Sequence, residues 1–216
     1  MSLKILIADD HQIFRDGLRS LFDNRPDMDV IAEAENGRTA VQMAKKLNPD
    51  VVIMDISMPD LNGIEATSRI VDQVPNAKII ALSAYSSSRF VVEILKSGAS
   101  GYLPKDSAFE ELLNAIDIVV ANQKYLSPKI TGSILNNYVL HNSTNSSSAF
   151  SILTARERET LQLVVEGKNT KQIASILHVS TKSIEMYRRN IMKKLDLHSI
   201  AELTRYAIKE GLTSTV

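Results

Sequence analysis

Over the first 125 residues, short β-rich runs alternate with helix-patterned segments, and this alternation constrains the fold more than any other feature of the chain. The runs are Leu3–Ala8, Val30–Glu35, Val51–Met54, Lys78–Ser83 and Gly101–Leu103. Between them, His11–Phe22, Arg38–Leu47, Asn62–Gln73, Arg89–Lys96 and Ala108–Ala121 space their apolar residues as helices do. Each intervening helix carries the chain back along the sheet, so successive strands run parallel and helices cover both faces. Lys4–Ala8 and Val51–Met54 are almost continuously apolar, as strands buried on two sides must be. Right-handed crossovers then predict an open, doubly wound α/β fold around a five-stranded parallel sheet.

The pattern changes completely after residue 125. Asn142–Ser148 reads Asn-Ser-Thr-Asn-Ser-Ser-Ser, too polar and too small to pack, and marks a flexible connection. Before it, Pro128–His141 has the pattern of a helix entered after a Ser127 cap. Beyond it every segment reads as helical. Thr154 with Glu157 forms a capping box for Ala155–Glu166, and Gly167 ends that helix. Thr170–Leu177, Thr181–Leu195 and a last helix capped by Ser199 follow. The expected organisation is a first domain over 1–125, a connection over 126–150 and an all-α domain of four helices over 151–216.

A formal net charge of zero hides an asymmetry. Residues 1–126 carry 13 Lys and Arg against 18 Asp and Glu, whereas residues 127–216 carry 12 against 7. A basic half suits a polyanionic partner, although charge alone does not identify one. The chain has no cysteine, which excludes disulfides and thiolate metal sites. It shows no signal-peptide pattern and no apolar run long enough to span a bilayer, so a cytoplasmic protein without a membrane partner is expected.

Asp9 and Asp10 end the first strand, and Asp55 ends the third. In a sheet of this kind the carboxyl ends of neighbouring strands open into one crevice where the strand order reverses. Three carboxylates meeting there need a cation, and oxygen ligands point to Mg²⁺. Ser83 ends the fourth strand and Lys105 follows the fifth, so a hydroxyl and an ammonium face the same crevice. Together they suit the oxygens of a phosphoryl group transferred to Asp55 as nucleophile. The alternative is a set of solvated loop residues, which any one of these positions alone would fit. His11, His141, His178 and His198 sit in separate elements without ligand spacing, and no metal is expected from them.

These residues also carry a resemblance. Asp9-Asp10, Asp55 with Met58-Pro59 and Gly63, Ser83-Ala84, and Gly101-Tyr102-Leu103 with Lys105 are similar to the receiver domains of bacterial response regulators, over residues 3–122. The resemblance implies a flavodoxin-like fold and Mg²⁺ held by Asp10, Asp55 and the Ser57 backbone carbonyl, with Asp9 assisting. It further implies phosphorylation of Asp55 by a sensor histidine kinase or a small phosphodonor, and a switch pair formed by Ser83 and Tyr102. Taken alone, Tyr102 is equally well a rim aromatic with no switching role. Many receivers carry Pro directly after the lysine; here Pro104 precedes Lys105 and Asp106 follows it, so Lys105 is expected to keep its role while the backbone course of that loop stays open.

In Thr181–Leu195, Ile184, Tyr187, Ile191 and Leu195 fall on one face, and Lys182, Met186, Arg189 and Lys193 gather on the other, flanked by Glu185 and Asn190. Ile173-Ala174 and Leu177 give the preceding short helix a buried face against which it can cross. An ordinary amphipathic helix with a solvated charged face has the same periodicity. Leu153-Thr154, Arg156-Glu157, Gly167, Ile173-Ala174, Val179-Ser180, Ser183-Ile184 and Lys194-Leu195, however, resemble the LuxR-type helix-turn-helix over residues 152–210. With the receiver in front, the whole chain resembles the NarL/FixJ family of transcription regulators. That resemblance implies binding to double-stranded DNA as a homodimer formed on activation, with RNA polymerase a possible further partner. Lys182, Arg188, Lys193 and Lys194 are the candidates for phosphate contacts, and Glu185, Met186 and Arg189 for base edges. Two other classes stay open. An aspartyl-phosphate phosphatase would usually place its carboxylates as Asp-x-Asp, and a regulator of this build can act without phosphorylation.

Overall fold

A computed structural model describes residues 2–84, 88–132 and 148–213. The His141 position and most of the Ser/Asn-rich connection, together with the C-terminal part of the helix expected over 128–141, lie outside the described residues. The chain divides into two compact units.

The first unit runs β1 (Leu3–Ala8), α1 (Gln12–Phe22), β2 (Met28–Ala34), α2 (Gly37–Leu47), β3 (Val51–Asp55), α3 (Gly63–Gln73), β4 (Lys78–Ser83), α4 (Ser88–Lys96), β5 (Gly101–Pro104), α5 (Phe109–Val120) and β6 (Tyr125–Leu126). The sheet order is β2-β1-β3-β4-β5-β6 and every pairing is parallel. Strand pleating sends alternate residues to opposite faces. Ile5, Ile7, Ile53, Ile80, Leu82 and Leu103 therefore pack with Leu18 and Phe22 of α1 and with Leu112, Ile116 and Val119 of α5. Leu6, Val52, Met54, Ile79 and Ala81, one residue out of phase, are just as buried. Both faces of the sheet are covered, which accounts for the continuous apolar runs.

The expectation of five strands is corrected to six. Gly101 pairs with Tyr125 and Tyr102 with Leu126, and the Ser127 N–H donates to the Tyr102 carbonyl at 3.0 Å. Asn122, at φ 62°, turns the chain out of α5 so that it can return beside β5. Two residues display no periodicity, so this strand is fixed by its ladder and not by its own sequence. Residues 128–132 continue as a helical turn with Ile130 buried, so ordered structure reaches into the expected connection.

The second unit contains α6 (Ala149–Ile152), α7 (Ala155–Val165), α8 (Thr170–Leu177), α9 (Thr181–Leu195) and α10 (Ile200–Lys209). The four longer helices are those expected, and α6 adds a single turn before them. Side chains of Thr154, Asn169, Ser180 and Ser199 each accept a backbone N–H at a helix start, three of them in complete capping boxes. His178 (φ 55°) and Asp196 (φ 53°) close α8 and α9 in the left-handed conformation that commonly ends helices. Leu161, Ile191, Leu203 and Ala207 form one core cluster, and Leu163, Ile173, Leu177 and Ile184 form another. Among the described residues, no helix is long and apolar enough to cross a membrane.

Candidate functional site

β1 and β3 are neighbours in the sheet, yet the chain leaves β1 toward one edge and β3 toward the other. The crevice at their carboxyl ends is the point where strand order reverses. Asp9 and Asp55 lie there, 2% and 3% exposed, with Asp10 partly exposed beside them. Ligand atoms of Asp9, Asp10, His11 and Asp55 all fall within 4.8 Å of one another. Strand β5 delivers Lys105, whose Nζ lies 2.6 Å from Asp9 Oδ2 and 2.9 Å from Asp55 Oδ2. The Lys105 N–H donates to the Ser83 carbonyl at 2.8 Å, which fixes the loop despite the displaced proline. The ammonium also sits 4.9 Å from the centre of the Phe14 ring.

Crowded, buried carboxylates resist ionisation. Burial pushes the Asp55 carboxyl up to about 6, with the charge of Asp9 adding to the effect. Lys105 and the Ser57 backbone N–H oppose that rise. Burial alone would lower the Lys105 ammonium, but Asp55 and Asp9 together raise it, so it remains a cation. Gly63 makes the crevice possible. A Cβ at this position would meet the Asp55 carbonyl oxygen at 2.0 Å, so only glycine lets the start of α3 abut the end of β3.

The donor set fits a hard divalent cation. Asp10 Oδ1 is buried, and the oxygens around it belong to two further carboxylates. His11 adjoins this group although the sequence shows no ligand spacing for it. Its N–H donates to Asp9 Oδ1 at 2.9 Å, and this turn folds the ring back, with Nδ1 3.2 Å from Asp9 Oδ1 and 2.8 Å from Asp10 Oδ1. An acidic residue two positions before a histidine is a turn signal that would have pointed to this placement.

Ser83 and Tyr102 are brought together. Both are buried, and their side chains share a hydrogen bond, while burial raises the Tyr102 hydroxyl above its usual pKa.

In the second unit, α9 buries Ile184 and Ile191 and exposes Lys182, Glu185, Met186, Arg189 and Lys193 along one face. Arg188 is half-buried at the edge of that face. Lys194, also a candidate for phosphate contact, is held in an ion pair. Its Nζ lies 2.7 Å from Oε2 of the buried Glu157. Glu157 sits in the first turn of α7 and also accepts the Thr154 N–H at 2.8 Å and its hydroxyl at 3.0 Å. A buried carboxylate needs a cation nearby, and Lys194 fills that need by tying α9 to α7.

Comparison with known proteins agrees with both halves. Residues 5–117 match the family model of the response regulator receiver domain, and residues 151–207 that of bacterial regulatory proteins, luxR family. The chain is 39% identical over 214 residues to the oxygen regulatory protein NreC of Staphylococcus carnosus, covering 97% of this chain and 99% of that one. It is 34% identical over 222 residues to the transcriptional regulatory protein DegU of Brevibacillus brevis, covering 97% and 94% respectively. A crystal structure of a LuxR-family two-component response regulator from Aurantimonas sp. SI85-9A1 matches with a TM-score of 0.61 and 35% identity, covering 64% of this chain and 99% of that one.

Proposed function

The chain belongs to the NarL/FixJ family of two-component response regulators, which join a receiver to a LuxR-type DNA-binding domain, and from that premise we propose that phosphorylation of Asp55 controls its dimerisation and its binding to DNA. In this reading residues 1–125 act as receiver, 126–150 as connection and 151–216 as output, and the protein works in the cytoplasm. A sensor histidine kinase supplies the phosphoryl group. The relatives compared above are regulatory proteins, and nothing in the crevice favours the phosphatase alternative.

The observation that carries the proposal is Lys105 bridging Asp9 and Asp55. A buried carboxylate held by one ammonium, with a second carboxylate sharing that cation, is a nucleophile in place before its electrophile arrives. Asp10, Asp55 and the Ser57 carbonyl, with Asp9 assisting, would hold Mg²⁺, which offsets the charge of the carboxylates and of the entering phosphoryl group. As an Asp55 oxygen bonds to phosphorus, the bond from phosphorus to the donor breaks with its electron pair leaving on the donor, and the Lys105 ammonium transfers its contact from the carboxylate to a phosphoryl oxygen. The Ser83 hydroxyl donates to another. Because Ser83 and Tyr102 share a hydrogen bond, moving one hydroxyl removes a partner of the other, which makes the pair a two-state element.

On the output side, the exposed face of α9 enters a major groove. Lys182, Arg188 and Lys193 contact phosphates, while Glu185, Met186 and Arg189 face base edges. Lys194, a further phosphate candidate, also ties the helix to Glu157. Dimerisation joins two half-site contacts into one tighter, salt-sensitive complex, which can then meet RNA polymerase. The test is intact mass after incubation with a small phosphodonor, with and without Mg²⁺, for the parent and Asp55→Asn. A Mg²⁺-dependent phosphate adduct that the variant lacks is expected. An adduct of equal size on both chains refutes the assignment of Asp55.

A further inference from the structure

A cavity of about 670 Å³ adjoins the phosphoacceptor crevice. Phe14, Ser83, Lys105, Asp106, Lys129 and Ile130 line it. Lys105 belongs to both spaces, because its Nζ is 2.9 Å from Asp55 Oδ2. A donor with its phosphorus at Asp55 therefore has room on the Lys129 side for the group that departs.

The position of Lys129 is imposed by the fold. Strand β6 is laddered to β5, and the Ser127 N–H is bonded to the Tyr102 carbonyl. Tyr125 donates its hydroxyl to Glu111 at 3.2 Å, and Lys124 donates to the Ala99 carbonyl at 2.7 Å. Ile130 is 2% exposed and anchors the helical turn from the other side. Between these anchors, Lys129 Nζ lies 3.5 Å from Asp106 Oδ2, with the two side chains 56% and 77% exposed. Ion pairs this exposed hold weakly, so the ammonium can turn toward an anion entering the cavity.

We propose that Lys129 is a specificity residue for small acyl phosphates, stabilising the carboxylate that leaves when Asp55 takes the phosphoryl group. The proposal rests on Asp55 being the phosphoacceptor. In the step, an Asp55 oxygen lone pair forms the new O–P bond. The bond from phosphorus to the acyl oxygen breaks, and its electron pair departs on that oxygen as a carboxylate, with no proton transferred. Negative charge thus grows on the leaving group in the transition state, where a nearby cation lowers the barrier. Phosphoramidate is the natural contrast. Its P–N bond breaks to release neutral ammonia, which gains nothing from a lysine. A donor preference for acyl phosphates is therefore written in a residue outside the crevice, on the segment leading to the output unit.

The experiment measures initial rates of adduct formation by intact mass on the full chain with Mg²⁺, using acetyl phosphate and phosphoramidate separately. Lys129→Met keeps the length of the side chain and removes its charge. Its rate with acetyl phosphate is expected to fall about fivefold while the phosphoramidate rate stays unchanged. Asp106→Asn removes the competing anion and is expected to raise the acetyl phosphate rate. If Lys129→Met slows both donors equally, or neither, the proposal is overturned and the phosphoacceptor reading stands. If the parent gains no adduct from either donor, or Asp55→Asn gains the same one, that reading fails and this proposal with it.

Discussion

The two units place charge in opposite ways. In the first, the functional groups come from the ends of four strands, and two of its three carboxylates, Asp9 and Asp55, are almost wholly buried. In the second, one helix carries the whole candidate surface, and most of its cations stand in solvent. Buried charge must be answered by a partner at close range, so the crevice cannot be changed without disturbing the packing around it. Exposed charge is answered by water, and α9 needs only to be rigid and correctly capped. The first unit thus links function to stability, whereas the second separates them. That separation can be tested by substitution.

The largest effect is expected at Gly63. In Gly63→Ala the added methyl would meet the Asp55 carbonyl oxygen at 2.0 Å and the Ile56 Cα at 2.9 Å, both of them backbone atoms that cannot turn aside. The start of α3 must move away from β3, at a cost of about 3 kcal/mol of stability in the first unit. Urea unfolding of the variant would show this as an early transition of that unit with the helical unit unaffected. Parent-like unfolding would mean that the crevice is looser than its geometry, and the contrast between the units would break.

An effect of about 1–2 kcal/mol is expected at Lys194, where the second unit answers a buried charge as the first does. Burial works against ionisation of Glu157, but the Lys194 ammonium and the Thr154 N–H and hydroxyl outweigh it and hold the carboxyl below its usual 4.5. A carboxyl lowered in the folded state adds stability that is present above its unfolded pKa of 4.5 and is lost as pH falls through its lower folded value. Lys194→Met should therefore unfold at lower urea than the parent at neutral pH, and the gap should narrow on acidification below 4.5. Lys194 is partly solvated, which keeps the expected loss below that of a fully buried pair. A gap that does not change with pH would remove Lys194 from its role as a strut.

These contrasts also explain what could be read from the sequence. The five longer strands are legible as apolar runs of at least three residues between segments of helical period, and Asp9, Asp55 and Ser83 are legible because strand ends converge. Strand β6 is not, since Tyr125 and Leu126 pair only after α5 has folded back. His11 is hidden by distance along the chain from Asp55, although the turn at Asp9 is local. Lys194 is hidden by its neighbours. Among Arg188, Arg189 and Lys193 it reads as one more cation, and only the crossing of α9 over α7 joins it to a residue 37 positions earlier. Local periodicity and strand ends are written in sequence order, whereas compensation of a buried charge depends on which elements later touch.

The smallest effects distinguish contacts within the exposed face of α9. Arg189 stands on the same stripe as Lys182, Glu185 and Met186, and a guanidinium reaching guanine in the major groove makes two parallel hydrogen bonds that no other base accepts in the same way. Arg189→Ala should therefore lower affinity for a preferred site about tenfold, with little change on random DNA. Lys193 lies one turn further along and meets only phosphate in this reading. Lys193→Ala should weaken both kinds of DNA alike and reduce the slope of log affinity against log salt by about one. Binding isotherms over a salt series check both variants at once, with urea unfolding alongside. Neither substitution should move stability by more than about 0.5 kcal/mol, because neither side chain has a buried charge to compensate. If Arg189→Ala lost specific and random DNA equally, its contact would be phosphate, and base reading would fall to Glu185 and Met186. If either variant unfolded as early as Lys194→Met, the exposed face would be bearing structural load, and the two units would differ less than their burial implies.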